Sequence, residues 1–139
     1  VTTGFVADAS VGVAWSVASQ SSTETERLLD EVSSGRPMCV PVLWAYEVAN
    51  ALLVLTRRKR IKAQERVSAC RALVHLNPAV DDEGPRTVLG KVSDLAAEHD
   101  LSVYDAAYLE LALRRGLPLA SRDDGLNRAA RRCGVEVLL

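Results

Sequence analysis

An α/β fold, with a parallel sheet covered by helices on both faces, is what this 139-residue sequence predicts. Two observations carry that reading. Short apolar runs alternate with longer segments whose apolar residues recur at helical spacing, the pattern of strand–helix–strand units rather than of a bundle or a sandwich. The strand-like runs are apolar throughout, as strands buried on both faces are, instead of alternating with polar residues. A length of 139 residues suits one domain over residues 1–139 with one core. No repeat, low-complexity stretch or linker divides it.

Phe5-Val6-Ala7 is the first strand, ending at Asp8. Ser10 stands as N-cap of a helix whose face is Val11, Val13, Ala14, Trp15 and Ala18. Thr23 to Val32 is a second, more polar helix, stopped by Gly35 with Pro37 beyond. Met38-Cys39-Val40 is the second strand. The longest helix runs from Pro41 to about Lys59 and is proline-started, with Leu43, Trp44, Val48, Leu52 and Leu55 among its apolar positions. Gln64 to Leu76 is another helix, and Pro78 to Val80 a short third strand. Gly84-Pro85 opens a helix that ends near His99. Ser102 caps a helix from Val103 to Arg115 that Gly116 and Pro118 terminate. Leu117 to Ala120 is the fourth strand, Asp124 to Cys133 the last helix with Gly134 as its stop, and Val135 to Leu139 the closing strand.

The bulk numbers exclude more than they select. A composition 48% hydrophobic and 25% charged is that of an ordinary soluble globular protein. With 4% aromatics, Leu, Val and Ala must fill the core. A net charge of −1 argues against a uniformly basic nucleic-acid binder and leaves room for a local basic patch. Cys39, Cys70 and Cys133 have no metal-type spacing and read as idle thiols in a reducing compartment. The chain starts at Val1 without a methionine, shows no secretory leader pattern, and has no apolar run long enough for a membrane span. A cytoplasmic location without membrane contact is the expectation.

Asp8, Glu47, Asp105 and Asp123 each fall where a strand or helix delivers a side chain to one edge of the sheet. Two carboxylates about 4 Å apart repel by roughly 4 kcal/mol at an effective dielectric near 20. Acids gathered in space therefore take up protons, find cations, or hold a divalent metal. With no His or Cys cluster nearby, Mg²⁺ or Mn²⁺ is the metal such a site would take. Each acid also has a plainer account. Asp8 suits a helix cap as well as a ligand at a strand's carboxyl end. Glu47 lies in the apolar stretch Leu43 to Leu53, either on the packed side, where Asn50 one turn on could hydrogen-bond it, or on a solvent stripe. Asp105 completes a capping box with Ser102, a position that also keeps a carboxylate ionised. Either Asp123 or Asp124 caps the last helix, position favouring Asp123 for the site. Ser10 and Ser121 stand near the same edge as orienting groups or as ordinary caps.

Together these residues resemble the PIN-domain ribonucleases, in particular the VapC-type toxins of bacterial and archaeal toxin–antitoxin pairs. Asp8-Ala9-Ser10 resembles the family's opening strand-end motif, and Glu47-Val48-Ala49-Asn50-Ala51-Leu52 its E-x-x-N-x-L helix. The run from Tyr104 through Asp105 to Ala112 is similar to its third motif, and Leu119-Ala120-Ser121-Arg122-Asp123 to its last, with Ser121 where Thr is more usual. The resemblance covers nearly the whole chain in order. It implies a three-layer α/β/α sandwich with a five-stranded parallel sheet, and Mg²⁺- or Mn²⁺-dependent hydrolysis of RNA at a metal site surrounded by Asp8, Glu47, Asp105 and Asp123. It also implies a homodimer and a cognate antitoxin whose tail blocks the site.

RNA needs cations as well. The run Arg57-Arg58-Lys59-Arg60-Ile61-Lys62 ends a helix, where basic residues are favoured in any case. Arg114, Arg115, Arg131 and Arg132 add charge, and Arg122 and Arg128 are preferred for RNA contact by their closeness to Asp123. Trp15 and Trp44 read as core or subunit contacts rather than base-stacking platforms. Two rival readings stand beside this one. A receiver-like signalling module also gathers acids around Mg²⁺, and Asp81 or Asp82 could serve as its phosphoacceptor, but no Lys follows the last strand. A catalytically silent PIN-like binding domain is the other, against which the presence of all four acids argues.

Overall fold

The computed structural model describes residues 3–139. Four parallel strands form the sheet: β1 (Phe5–Ala7), β2 (Met38–Pro41), β3 (Ala79–Asp81) and β4 (Leu119–Ala120), in the order β3-β2-β1-β4. Val6 is in register with Cys39 on one side and Leu119 on the other, and Val40 with Val80. All three residues of β1 are wholly buried, as a central strand between two helical layers requires.

Seven α-helices cover the two faces among the described residues: α1 (Ala9–Ser16), α2 (Thr23–Ser33), α3 (Leu43–Arg57), α4 (Ala63–His75), α5 (Ser93–His99), α6 (Val103–Arg115) and α7 (Asp124–Arg132). On one side α1 packs against α2 and α3, and α3 against α4. On the other, α6 lies along β1, β2 and β4 between α5 and α7. This is the expected three-layer arrangement. Leu28, Leu52, Tyr108, Leu109, Leu111, Leu119 and Leu126 fill the core at 1% exposure or less. Trp44 is buried, and Trp15 packs at the core's edge with its indole N–H donating to the Thr25 carbonyl over 2.6 Å.

Among the described residues the sheet has four strands, not the five the resemblance implied. Val135 to Leu139 runs beside β4 and makes one parallel bridge, Leu119 to Val137. It is held by Leu119 N–H to Glu136 O (2.8 Å) and Leu138 N–H to Leu119 O (2.9 Å). Strand β4 is two residues long, and only Leu119 pairs on this side.

Several boundaries also differ, β4 among them, which starts at Leu119 and not at Leu117. Pro41 ends β2 instead of opening α3. Strand β3 is shifted one residue, to Ala79–Asp81. The segment expected as one helix from Gly84 winds as a 3₁₀ turn (Gly84–Thr87) and a π turn (Val88–Val92) before α5 begins. There the Asp81 carboxylate accepts from Gly84 N–H at 2.8 Å, and the Thr87 hydroxyl donates to Gly84 O, tightening the first turn. The helix stops were placed well: Gly35 and Gly116 take φ of 108° and 63°, where a side chain would be strained.

Candidate active site

Because β1 lies between β2 and β4, the chain builds outward on one side and then returns to the other. The crevice at the carboxyl ends of β1 and β4 is therefore the topological switch point, where ligands bind in open α/β sheets. Asp8 follows β1 directly and Ser121 follows β4.

Asp8, not Ser10, is the N-cap of α1, its Oδ1 accepting from Val11 N–H at 3.3 Å. Only 4% of Asp8 is exposed, and both of its oxygens are taken. Ser10 Oγ donates to Oδ1 and Ser121 Oγ to Oδ2, each over 2.5 Å. The two serines accept in turn: Arg122 N–H donates to Ser10 Oγ and Asp123 N–H to Ser121 Oγ, each at 2.9 Å. The pair thus fastens the loop after β4 to the loop after β1. Asn127, which sequence reasoning passed over, fixes this loop further by donating from Nδ2 to the Ser121 carbonyl at 2.9 Å. Its spacing four residues after the cap Asp123 is the signal that would have found it. Burial pushes the Asp8 carboxyl above its usual range, against the opposing pull of the two hydroxyls.

Glu47 sits half-buried on α3, one turn after Trp44. Trp44 donates its indole N–H to the Asp8 carbonyl at 3.2 Å, which ties α3 to the end of β1. Gly12 permits the approach: a Cβ there would meet Val48 at 3.0 Å and the Trp44 ring at 3.1 Å. The partner of Glu47 is not Asn50, which is exposed and has no side-chain hydrogen bond among the described residues. It is the hydroxyl of Tyr108, 2.6 Å from Oε1. Burial raises the Glu47 carboxyl, as does the charge of Asp105, while the Tyr108 hydrogen bond lowers it.

Asp105 lies half-buried in the first turn of α6. The expected capping box is half made: Ser102 Oγ accepts from Asp105 N–H at 3.0 Å, and no bond returns from the carboxylate to the cap N–H. Burial raises the Asp105 carboxyl first, then the negative charges of Asp123 and Asp8. Asp123 is exposed and caps α7, accepting from Leu126 N–H at 2.8 Å. Asp124 is exposed in the next position. Arg122 and Arg128 are exposed, and Arg122 reaches Gln20 Oε1 at 3.4 Å.

Asp105 is therefore within electrostatic reach of Glu47, Asp8 and Asp123. No salt bridge among the described residues neutralises any of them. A second acidic cluster shows the contrast. Asp81, Glu83 and Glu110 surround Arg114 at 2.6, 3.2 and 2.8 Å, and Arg115 adds a contact to Asp81 at 2.9 Å. Arg114 leads in holding Asp81 well below the usual carboxylate range, at about 2. Arg114 and Arg115 are thus committed to a structural network, contrary to their reading as spare RNA-binding charge.

The unpaired acids offer only oxygen donors, the set that hard divalent cations take. Among the described residues no three acidic, His or Cys side chains are already drawn together at ligating geometry. The chemistry of the donors fits such a cation.

A family model described as the PIN domain matches residues 5–132. Ribonuclease VapC3 of Pyrobaculum aerophilum is 34% identical over 118 residues, covering 85% of this chain and 88% of that protein. The crystal structure of PAE2754 from Pyrobaculum aerophilum superposes with a TM-score of 0.75 at 22% identity, covering 98% of this chain and 90% of that one. FitAcB from Neisseria gonorrhoeae gives 0.66 at 16% identity, with 97% and 96% covered. The two structures bear on the fold; the family model and the sequence relative bear on descent. On these matches the chain belongs to the PIN-domain family and is of the VapC type.

Proposed function

We propose that this protein is a metal-dependent endoribonuclease, the toxin of a toxin–antitoxin pair acting in the cytoplasm, with its activity carried by a single domain. The observation that carries the reading is the contrast between two acidic clusters: one neutralised by Arg114 and Arg115, the other left without a cation at the switch point. The name of the relative, Ribonuclease VapC3, supports the reaction class.

In this reading Asp8, Glu47, Asp105 and Asp123 hold Mg²⁺ or Mn²⁺, with Asp124 a bystander. When bound, such a cation supplies Lewis-acid charge that makes a water more acidic and polarises a phosphoryl oxygen. Ser10 and Ser121 keep Asp8 in one orientation. Glu47, raised and half-buried, is the carboxylate suited to accept the proton of an attacking water. Hydrolysis joins the water oxygen to phosphorus, breaks the bond to the 3′-oxygen, and gives a 5′-phosphate and a 3′-hydroxyl. Arg122 and Arg128, exposed on the neighbouring loop and helix, contact the RNA backbone.

Protein partners have a surface to occupy. Tyr46, Val74, Val80 and Leu89 are 76%, 74%, 58% and 97% exposed. Two apolar grooves of about 370 and 260 Å³ share Pro41 and Val42 at the β2–α3 junction. Val74 and Val80 line the first groove and Tyr46 the second; exposed apolar surface of this kind marks interaction sites, and it supports both a homodimer and a cognate antitoxin.

The experiment is direct. Purified protein cuts RNA in Mg²⁺ or Mn²⁺ and stops on addition of EDTA; cutting that persists in EDTA removes the metal from the account. In cells, expression without an antitoxin slows growth and Glu47→Gln relieves it. Equal toxicity of both forms would assign the effect to something other than hydrolysis.

A further inference from the structure

We propose that Tyr108 is the positioning residue of the site, holding the Glu47 carboxylate in one orientation through its phenolic hydroxyl. The inference rests on the metal-site reading above and adds to it a group that is neither acidic nor a ligand.

Tyr108 lies one turn after Asp105 on α6, so one helix face delivers both. Its side chain is 1% exposed and its ring is packed in the core, which fixes where the hydroxyl points. That hydroxyl spans 61 positions of sequence to reach Glu47 Oε1 at 2.6 Å. No other described side chain donates to Glu47. Asp8 has two serines and Asp123 its own helix cap, so Tyr108 is to Glu47 what Ser10 and Ser121 are to Asp8.

A core tyrosine could equally serve as a strut between α3 and α6. The two roles differ in what the hydroxyl does once the protein is folded. As a strut it contributes stability alone. As a positioning group it keeps a flexible glutamate aimed at a site whose other acids repel it, the role of outer-shell hydrogen bonds at metal centres. Losing one there typically weakens metal affinity by about 10- to 100-fold.

Tyr108→Phe removes one oxygen and keeps the ring. Mn²⁺ titrations followed by calorimetry, with melting curves to establish folding, read the result separately from turnover. The expected outcome is a Kd for Mn²⁺ raised about tenfold or more, a lower kcat, and a KM for RNA within about twofold of wild type, since the phenol meets no substrate. In a Glu47→Ala background, Tyr108→Phe should change Mn²⁺ affinity no further. Wild-type Mn²⁺ affinity in folded Tyr108→Phe, with Glu47→Ala defective, overturns the positioning role and leaves the site reading intact. Wild-type affinity and cleavage in Glu47→Ala overturns both. Should Tyr108→Phe fail to fold, the wild-type protein still decides by NMR. Protection of the Tyr108 hydroxyl proton that survives saturating Mg²⁺ supports the role; exchange accelerated tenfold shows that Glu47 has left Tyr108, and ends it.

Discussion

Ser121 donates its hydroxyl proton to Asp8 Oδ2 over 2.5 Å, a bond between positions 113 residues apart that joins the ends of β1 and β4. Ser121 Oγ in turn accepts from Asp123 N–H, so one buried serine sets the place of two acids. Ser121→Ala leaves half of a buried carboxylate without its donor. Stability should fall by about 1–3 kcal/mol, the range for a lost bond to a charged group. RNA cleavage should fall by about tenfold or more. Urea melts and a cleavage assay check both; a variant with unaltered cleavage would show that Asp8 needs no such clamp.

Gly12 controls how near α1 comes to α3. Alanine there would gain up to about 1 kcal/mol of helix propensity, but its methyl meets Val48 and Trp44 at 3.0 and 3.1 Å. Neither neighbour can yield readily, since both are buried and Trp44 is bonded to the Asp8 carbonyl. Overpacking of about 1–3 kcal/mol should prevail, leaving Gly12→Ala less stable. A melting temperature equal to or above wild type would mean that the helices have room to part.

Much of this was legible in the residues, and the exceptions share a cause. Asp8, Ser121 and Asp123 lie next to strands whose local patterns are clear, so the edge they share could be read without coordinates. Tyr108 and Arg114 were hidden because their partners lie 61 and 33 positions away, a separation that periodicity does not encode. The segment from Gly84 carried ordinary helix signals; a hydrogen bond from Gly84 N–H to the Asp81 carboxylate, just upstream, changed its winding. The last segment makes a single bridge to Leu119, a pairing outcome that its apolar pattern does not encode.

Stability should pass through a maximum at mildly acid pH when EDTA is present. Asp81 has a folded pKa of about 2 against an ordinary 3.8, so its contribution of about 2 kcal/mol is present above pH 3.8 and lost as pH falls toward 2. Asp8, Glu47 and Asp105 are raised instead. The folded state then binds more protons than the unfolded one, and stability declines as pH rises through and above the ordinary carboxylate range. Arg114→Met should shrink the acid-side loss, since Arg115 and Gly84 N–H still hold Asp81, and cost about 3–5 kcal/mol chiefly by stranding buried Glu110. Melting temperatures from pH 2 to 8 test this, and a curve climbing steadily to neutrality would contradict the signs given.

Mn²⁺ titration of the purified protein beside its Asp8→Asn and Asp105→Asn forms tests the central claim most directly. Asparagine still caps a helix, so Asp8→Asn should remain folded. The account predicts saturable uptake by the wild-type protein, weakening as pH falls and the raised carboxyls take up protons, with affinity at least about tenfold lower in either variant. Equal uptake by all three proteins, or none by the wild type, would contradict it.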